Sequence, residues 1–132
     1  MIRIALACVV LIAASFMSVH AADVAAAATL DGRSFDVVCK GPDQTKDEKD
    51  SLVFTATEGD STACHQYGFG KGPVTYRAKD GGVEFSFSTK SEKEGTIAWN
   101  GIVKGDKVSG KMAWTKDGKT TSSDFAGSAS PA

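Results

Sequence analysis

From Thr96 to Gly127, apolar and polar residues alternate in three runs joined by two-residue turns. Thr96–Lys104 and Lys107–Thr115 flank Gly105-Asp106, and Thr120–Gly127 follows Asp117-Gly118. Loops of this composition suit the type I′ and II′ hairpins whose twist matches that of paired strands. A two-residue loop at Gly105-Asp106 pairs Val103 with Val108, Gly101 with Gly110, Trp99 with Met112 and Ile97 with Trp114. The next hairpin sets Phe125 against Gly110, Ser123 against Met112 and Thr121 against Trp114. All of these share one face, because side chains alternate along a strand. Facing glycines leave a gap that the neighbouring Phe125 can fill, a device of curved sheets.

The Asp80-Gly81 hairpin solves in the same way. Val74, Tyr76 and Ala78 oppose Phe87, Phe85 and Val83 on one face. On the other face Arg77 opposes Glu84 and Thr75 opposes Ser86. A half-solvated sheet needs this division, and a one-residue slip would set charges against aromatic rings.

Extended over the chain, the pattern predicts eight strands: Arg33–Lys40, Ser51–Thr57, Ser61–Tyr67, Pro73–Lys79, Val83–Lys90, Thr96–Lys104, Lys107–Thr115 and Thr120–Gly127. No segment keeps a helical period over three turns. The mixed charges of Lys46–Asp50 read as a solvated loop. Short sequential hairpins predict an all-β, eight-stranded antiparallel up-and-down barrel rather than a Greek-key sandwich. Such an interior either fills with side chains or holds one small ligand.

The N-terminus changes the picture. Arg3, the apolar run Ile4–Met17 and the small-x-small site Val19-His20-Ala21 read as a cleavable signal peptide over residues 1–21. The apolar run is shorter than a membrane span, so the mature chain is expected to carry none. Residues 22–30 read as an Ala-rich linker, 31–128 as the barrel and 129–132 as a tail. The expected location is the periplasm or the exterior. Without Arg3, 14 basic residues face 16 acidic ones, and no basic cluster interleaves with aromatics, so no nucleic-acid partner is expected.

Export leaves Cys39 and Cys64, which predicts one disulfide. Two registers of the third strand stay open. A Gly59-Asp60 loop puts His65 on the face of Phe54, whereas a Glu58–Asp60 loop puts Cys64 there. A Cys39–Cys64 bond favours the second.

Catalytic motifs are missing: the chain has no HExxH, CxxC or GxSxG. One mature histidine, His65, builds no His-based metal site. Asp36 and Asp124 lie on strands that no spacing brings together. The reading is a non-enzyme without cofactor or metal. Its candidate ligand-lining residues are the inward Tyr76, Phe85, Phe87, Trp99, Met112 and Trp114, with Thr121 and Ser123 as polar groups beside them. The competing reading makes the same rings a packed core.

Gly32-x-x-Phe35, followed by a meander of this length, resembles the opening of lipocalin-like (calycin) barrels, departing at Phe35 from their usual Gly-x-Trp. A Cys followed by aromatic-Gly-Phe, then W-x-G, G-x-x-x-W and F-x-G, is similar to small exported bacterial proteins of unknown function. Here these are Cys64 with Tyr67-Gly68-Phe69, Trp99-x-Gly101, Gly110-x-x-x-Trp114 and Phe125-x-Gly127, over about residues 30–128. The resemblance implies an architecture and no activity. By analogy with lipocalins it implies a hydrophobic ligand. By analogy with small periplasmic inhibitor barrels it implies a protein partner, met by Ala22–Leu30 or by the loops Gly41–Asp50 and Gly68–Gly72.

Overall fold

The computed structural model describes residues 28–41 and 47–131. The expected signal peptide, most of the expected linker and residues 42–46 lie outside the described residues. Eight strands close into one antiparallel barrel in sequence order: β1 (Ser34–Lys40), β2 (Glu48–Phe54), β3 (Glu58–Ser61), β4 (Gly72–Lys79), β5 (Gly82–Ser91), β6 (Gly95–Lys104), β7 (Lys107–Lys116) and β8 (Lys119–Ala129). Closure comes from β1 on β8, running from Phe35 opposite Ala129 to Lys40 opposite Asp124.

The three solved hairpins are present in the expected registers, from Ala78–Val83 to Val74–Phe87, from Val103–Val108 to Ile97–Trp114, and from Gly110–Phe125 to Trp114–Thr121. Asp80-Gly81 and Asp117-Gly118 hold positive φ at both positions, as type I′ turns require. At Gly105-Asp106 only the glycine does. Arg77 and Glu84 form the expected cross-strand ion pair at 2.7 Å.

The third strand is different. β3 is Glu58–Ser61, the stretch expected to be a turn, and Thr62–Tyr67 forms a 3-10 helix instead of a strand. Phe54 pairs with Gly59, so neither expected register holds. The turn lies one step earlier: Thr55 Oγ1 accepts from the backbone N–H groups of Thr57 and Glu58. Ala56-Thr57 therefore turns without glycine or asparagine, because a threonine hydroxyl supplies the local acceptor. The β2 strand begins at Glu48, so part of the expected charged loop is in the sheet. Leu30, expected in the linker, is fully buried, and Ala129, expected in the tail, ends β8.

The interior is filled by aromatic side chains. Phe54 meets Phe35, Phe85 and Phe87 edge to face at centroid distances of 6.0, 4.8 and 5.7 Å. Phe87 stacks on Trp99 at 6.0 Å, and Trp99 meets Phe125 at 5.2 Å. Each such pair contributes about 0.5–1.5 kcal/mol beyond area burial. The rings fit because facing positions lack side chains. A Cβ on Gly59 would stand 2.6 Å from the Phe87 ring, and one on Gly101 would stand 2.7 Å from Phe85 and 2.9 Å from Phe125.

One end of the barrel is closed. Arg33 donates to the Gly105 carbonyl at 2.9 Å, and its guanidinium lies 4.9 Å from the Phe35 centroid. The Arg33 N–H returns to the Leu30 carbonyl, turning the buried Leu30 into the core. At the other end sit the 3-10 helix and the β5–β6 and β7–β8 turns.

A Cβ on Gly110 would fall 2.1 Å from the Asn100 carbonyl and 2.6 Å from Gly101 Cα, both backbone atoms. Gly110→Ala is expected to cost about 1–3 kcal/mol or more, as overpacking does. In thermal melts of a domain this size that is a fall of about 4–8 °C per kcal/mol. Gly70→Ala, with open space around it, is the control and should stay within about 0.5 kcal/mol. Equal melts for the two variants would contradict this account of the packing.

Candidate functional site

The open end carries a pocket of about 310 Å³ with largely apolar walls. Ile97, Met112 and Trp114 supply the sheet side, from the inward faces of β6 and β7. The 3-10 helix and the chain just after it supply Cys64, Tyr67 and Phe69. Glu48 at the start of β2 and Glu94 in the β5–β6 turn complete the rim. A larger depression of about 740 Å³ is an open trough over β1, β2 and β8, lined by outward groups such as Asp36, Lys49 and Ser128. The smaller one is the better site, because it is more enclosed and presents aromatic walls.

An aspartate holds the helical wall in place. Asp50 accepts from the Ser61 hydroxyl and, at 2.9 Å, from the Ala63 N–H at the first turn of the helix. The helix ends on Gly68 at φ 88°, which only a residue without Cβ takes easily. Its N–H and that of Phe69 return to the His65 and Cys64 carbonyls, so the chain folds Phe69 inward while Tyr67 stays outside. On the sheet side Trp114 Nε1 donates to the Glu94 carbonyl at 2.6 Å, and Lys116 pairs with the Glu94 carboxylate at 3.1 Å.

The expected lining residues separate into layers. Phe85, Phe87 and Trp99 are buried core, with Trp99 at 0% exposure, and none of them lines the mouth pocket. Tyr76 lies toward the closed end, where its hydroxyl donates to the Thr55 carbonyl at 2.7 Å. Met112 and Trp114 line the mouth pocket. Ser123 is buried opposite Met112, and Thr121 is exposed opposite Trp114. The sequence reading missed Glu48, Tyr67, Phe69, Glu94 and Ile97 as wall residues. Ile97 was legible from its parity with Trp99 and Trp114, whereas Tyr67 and Phe69 belong to a segment read as strand and loop. Just beneath the wall, Thr89 Oγ1 and Trp99 Nε1 are buried with no hydrogen-bond partner, opposite Ile97 and Met112 respectively.

Both cysteines are free thiols, so the expected disulfide is not formed. Cys64 lies on a helix rather than a strand, so the strand register that such a bond would have favoured does not arise either. Burial pushes the Cys39 thiol up to about 12, with Asp50, Cys64 and Glu48 adding to the rise. Burial likewise raises Cys64, helped by Asp50, Glu48 and Asp60 and opposed by a hydrogen bond to Ser61. The site thus disfavours anions. His65 meets Asp60 at 2.7 Å, turned away from Cys64's wall, so the histidine and thiol do not form a nucleophile–base pair. Asp36 accepts from Ser51 and Ser130, and Asp124 pairs with Lys111, so each expected carboxylate is engaged separately. Among the described residues no group of three or more His, Cys, Asp or Glu is placed to hold a metal. Among them, too, no helix is long and apolar enough to cross a membrane.

Compared with protein-family models, curated proteins and solved structures, the chain matches none.

The thiols give two tests. In the mature chain at pH 8, a thiol reagent such as DTNB should label Cys39 only on unfolding, with two thiols titrating per chain in denaturant. Fewer than two would reveal a bond between them. Stability should also fall with alkali. A thiol ionising near 9 when unfolded and near 12 when folded holds its proton longer in the native state, so stability present below pH 9 is lost between about pH 9 and 12. Tyr76, raised to about 12 by burial and by Asp31, acts in the same direction above its ordinary 10. Denaturation curves of Cys39→Ser should show a shallower alkaline decline than the wild type.

Proposed function

We propose that this protein is exported and acts without catalysis, binding a small apolar or aromatic molecule at the barrel mouth rather than in the barrel interior. The observation that carries the reading is the pocket of about 310 Å³ between Met112 and Trp114 on the sheet and Tyr67 and Phe69 beside the helix. Ligand sites span about 300–1,000 Å³, so a single-ring compound or short chain suits this volume better than a lipid. Support for export is the leader-like pattern of residues 1–21, and the raised thiols fit an oxidising compartment, because scarce thiolate is slow to oxidise.

A second reading, a protein-binding module of the inhibitor type, draws on the same rim. Tyr67 is 57% exposed and Trp114 37%, and exposed rings are common anchors in protein interfaces.

Calorimetric titration of the folded mature protein with the neutral single-ring probe 2-phenylethanol should give a saturable rise in bound probe. Tyr67→Ser and Trp114→Ala should each weaken that binding about tenfold while circular dichroism stays native. No saturable rise with wild type, or an undiminished rise in both variants, would remove the small-ligand reading.

A further inference from the structure

We propose that the mouth pocket selects a compact aromatic or apolar amine, with Glu48 holding the ammonium group and Tyr67 and Trp114 enclosing the apolar body. This rests on the small-ligand reading and adds the charge of the ligand.

The argument begins with the rim. Among the described residues its charged lining is Glu48 and Glu94, with no basic side chain. The two carboxylates are not equivalent. Glu94 is already paired with Lys116 at 3.1 Å. Glu48 has no ion-pair partner among the described residues, although it lies across from Cys39 on the inward side of the sheet. Asp50, two residues along the same strand, faces the same way and adds a second acidic group behind it, committed to Ser61 and Ala63. The field at the floor is therefore negative, and Asp50 and Glu48 add to the rise that burial imposes on both thiols.

Such a field acts on ligand choice in both directions. A carboxylate ligand would meet Glu48 as a like charge in a partly dehydrated site, where Coulomb terms exceed their value in water. An ammonium would gain the free carboxylate and lie against the electron-rich faces of Tyr67 and Trp114, where a cation is attracted by the ring quadrupole. The apolar walls of Ile97, Met112 and Phe69 then take the ring or alkyl body. A pocket near 310 Å³ limits that body to about one ring.

Three probes of one shape separate charge from hydrophobicity: 2-phenylethylamine, 2-phenylethanol and 3-phenylpropionate, titrated into the mature protein at pH 7 and followed by tryptophan emission and calorimetry. The amine should bind at least tenfold tighter than the alcohol, and the acid weaker than both. In Glu48→Gln the amine should fall to the level of the alcohol, with the alcohol unchanged. Glu48 is an exposed strand-end residue, so the variant is expected to fold, and its melting curve checks this. Equal binding of amine and alcohol to wild type, or an amine preference that survives Glu48→Gln, would overturn the assignment and leave the small-ligand reading standing. No binding of any of the three would overturn both.

Discussion

The structure depends on aromatic rings lying where glycines leave room. An eight-stranded barrel encloses a volume that six large rings can just occupy, provided the wall opposite some of them has no Cβ. Gly59 gives space to Phe87, and Gly101 and Gly110 give space to Phe85 and Phe125. The same glycines let β6 and β7 approach closely, so curvature and filling have one cause. The proposed function builds on this. A barrel packed through Phe54, Phe87 and Trp99 has no central chamber, and any ligand must be taken where the ring stack ends. That place is the layer of Ile97, Met112 and Trp114.

The second wall comes from a polar interaction. Asp50 lies on β2, faces inward, and holds the first turn of the 3-10 helix through Ser61 and Ala63. A carboxylate near the interior is costly unless its acceptors are used. Here they are, and what they fix is the path that delivers Cys64, Tyr67 and Phe69 to the mouth. The pocket thus joins an apolar wall set by strand alternation to a wall set by a charged anchor. Its acidic character is partly a by-product of that anchor, which ties the electrostatics of the site to the means of building it.

How much of this was legible depended on the turn chemistry. Where Asp-Gly or Gly-Asp marked the turn, the register followed, and with it the inward positions of Trp99, Met112, Trp114 and Phe125 and the placing of Phe125 over the glycine gap. Between β2 and β3 the marking misled. Glu58-Gly59-Asp60 carries turn residues but is strand, because Gly59 is needed beneath Phe87. The true turn is Ala56-Thr57, closed by a hydroxyl of Thr55 whose role no propensity announces. The slip then propagated: Cys64, His65 and Tyr67 were placed on a strand, both registers weighed for that strand were wrong, and half of the mouth was missed. Within the candidate set, alternation told inward from outward but not depth, so Trp99 and Trp114 looked equivalent although one is core and the other rim. Depth along the barrel axis depends on where each strand starts and on the stagger between strands.

The two ends of the barrel also separate the ways in which it could meet a partner. The described chain begins at Ala28, beside Arg33, Gly105 and the Asp80-Gly81 turn, and β8 finishes opposite Phe35, so both termini of the barrel leave from the closed end. The pocket and the 3-10 helix lie at the other end. The barrel is about one strand long, with strands such as β1 and β8, of 7 and 11 residues, running roughly 23–36 Å at about 3.3 Å per residue. A contact made at the closed end would therefore not cover the mouth, whereas one made through Tyr67 and Trp114 would. Ligand and partner compete only in the second case, so the effect of a small aromatic amine on partner binding tells which end of the barrel the partner holds.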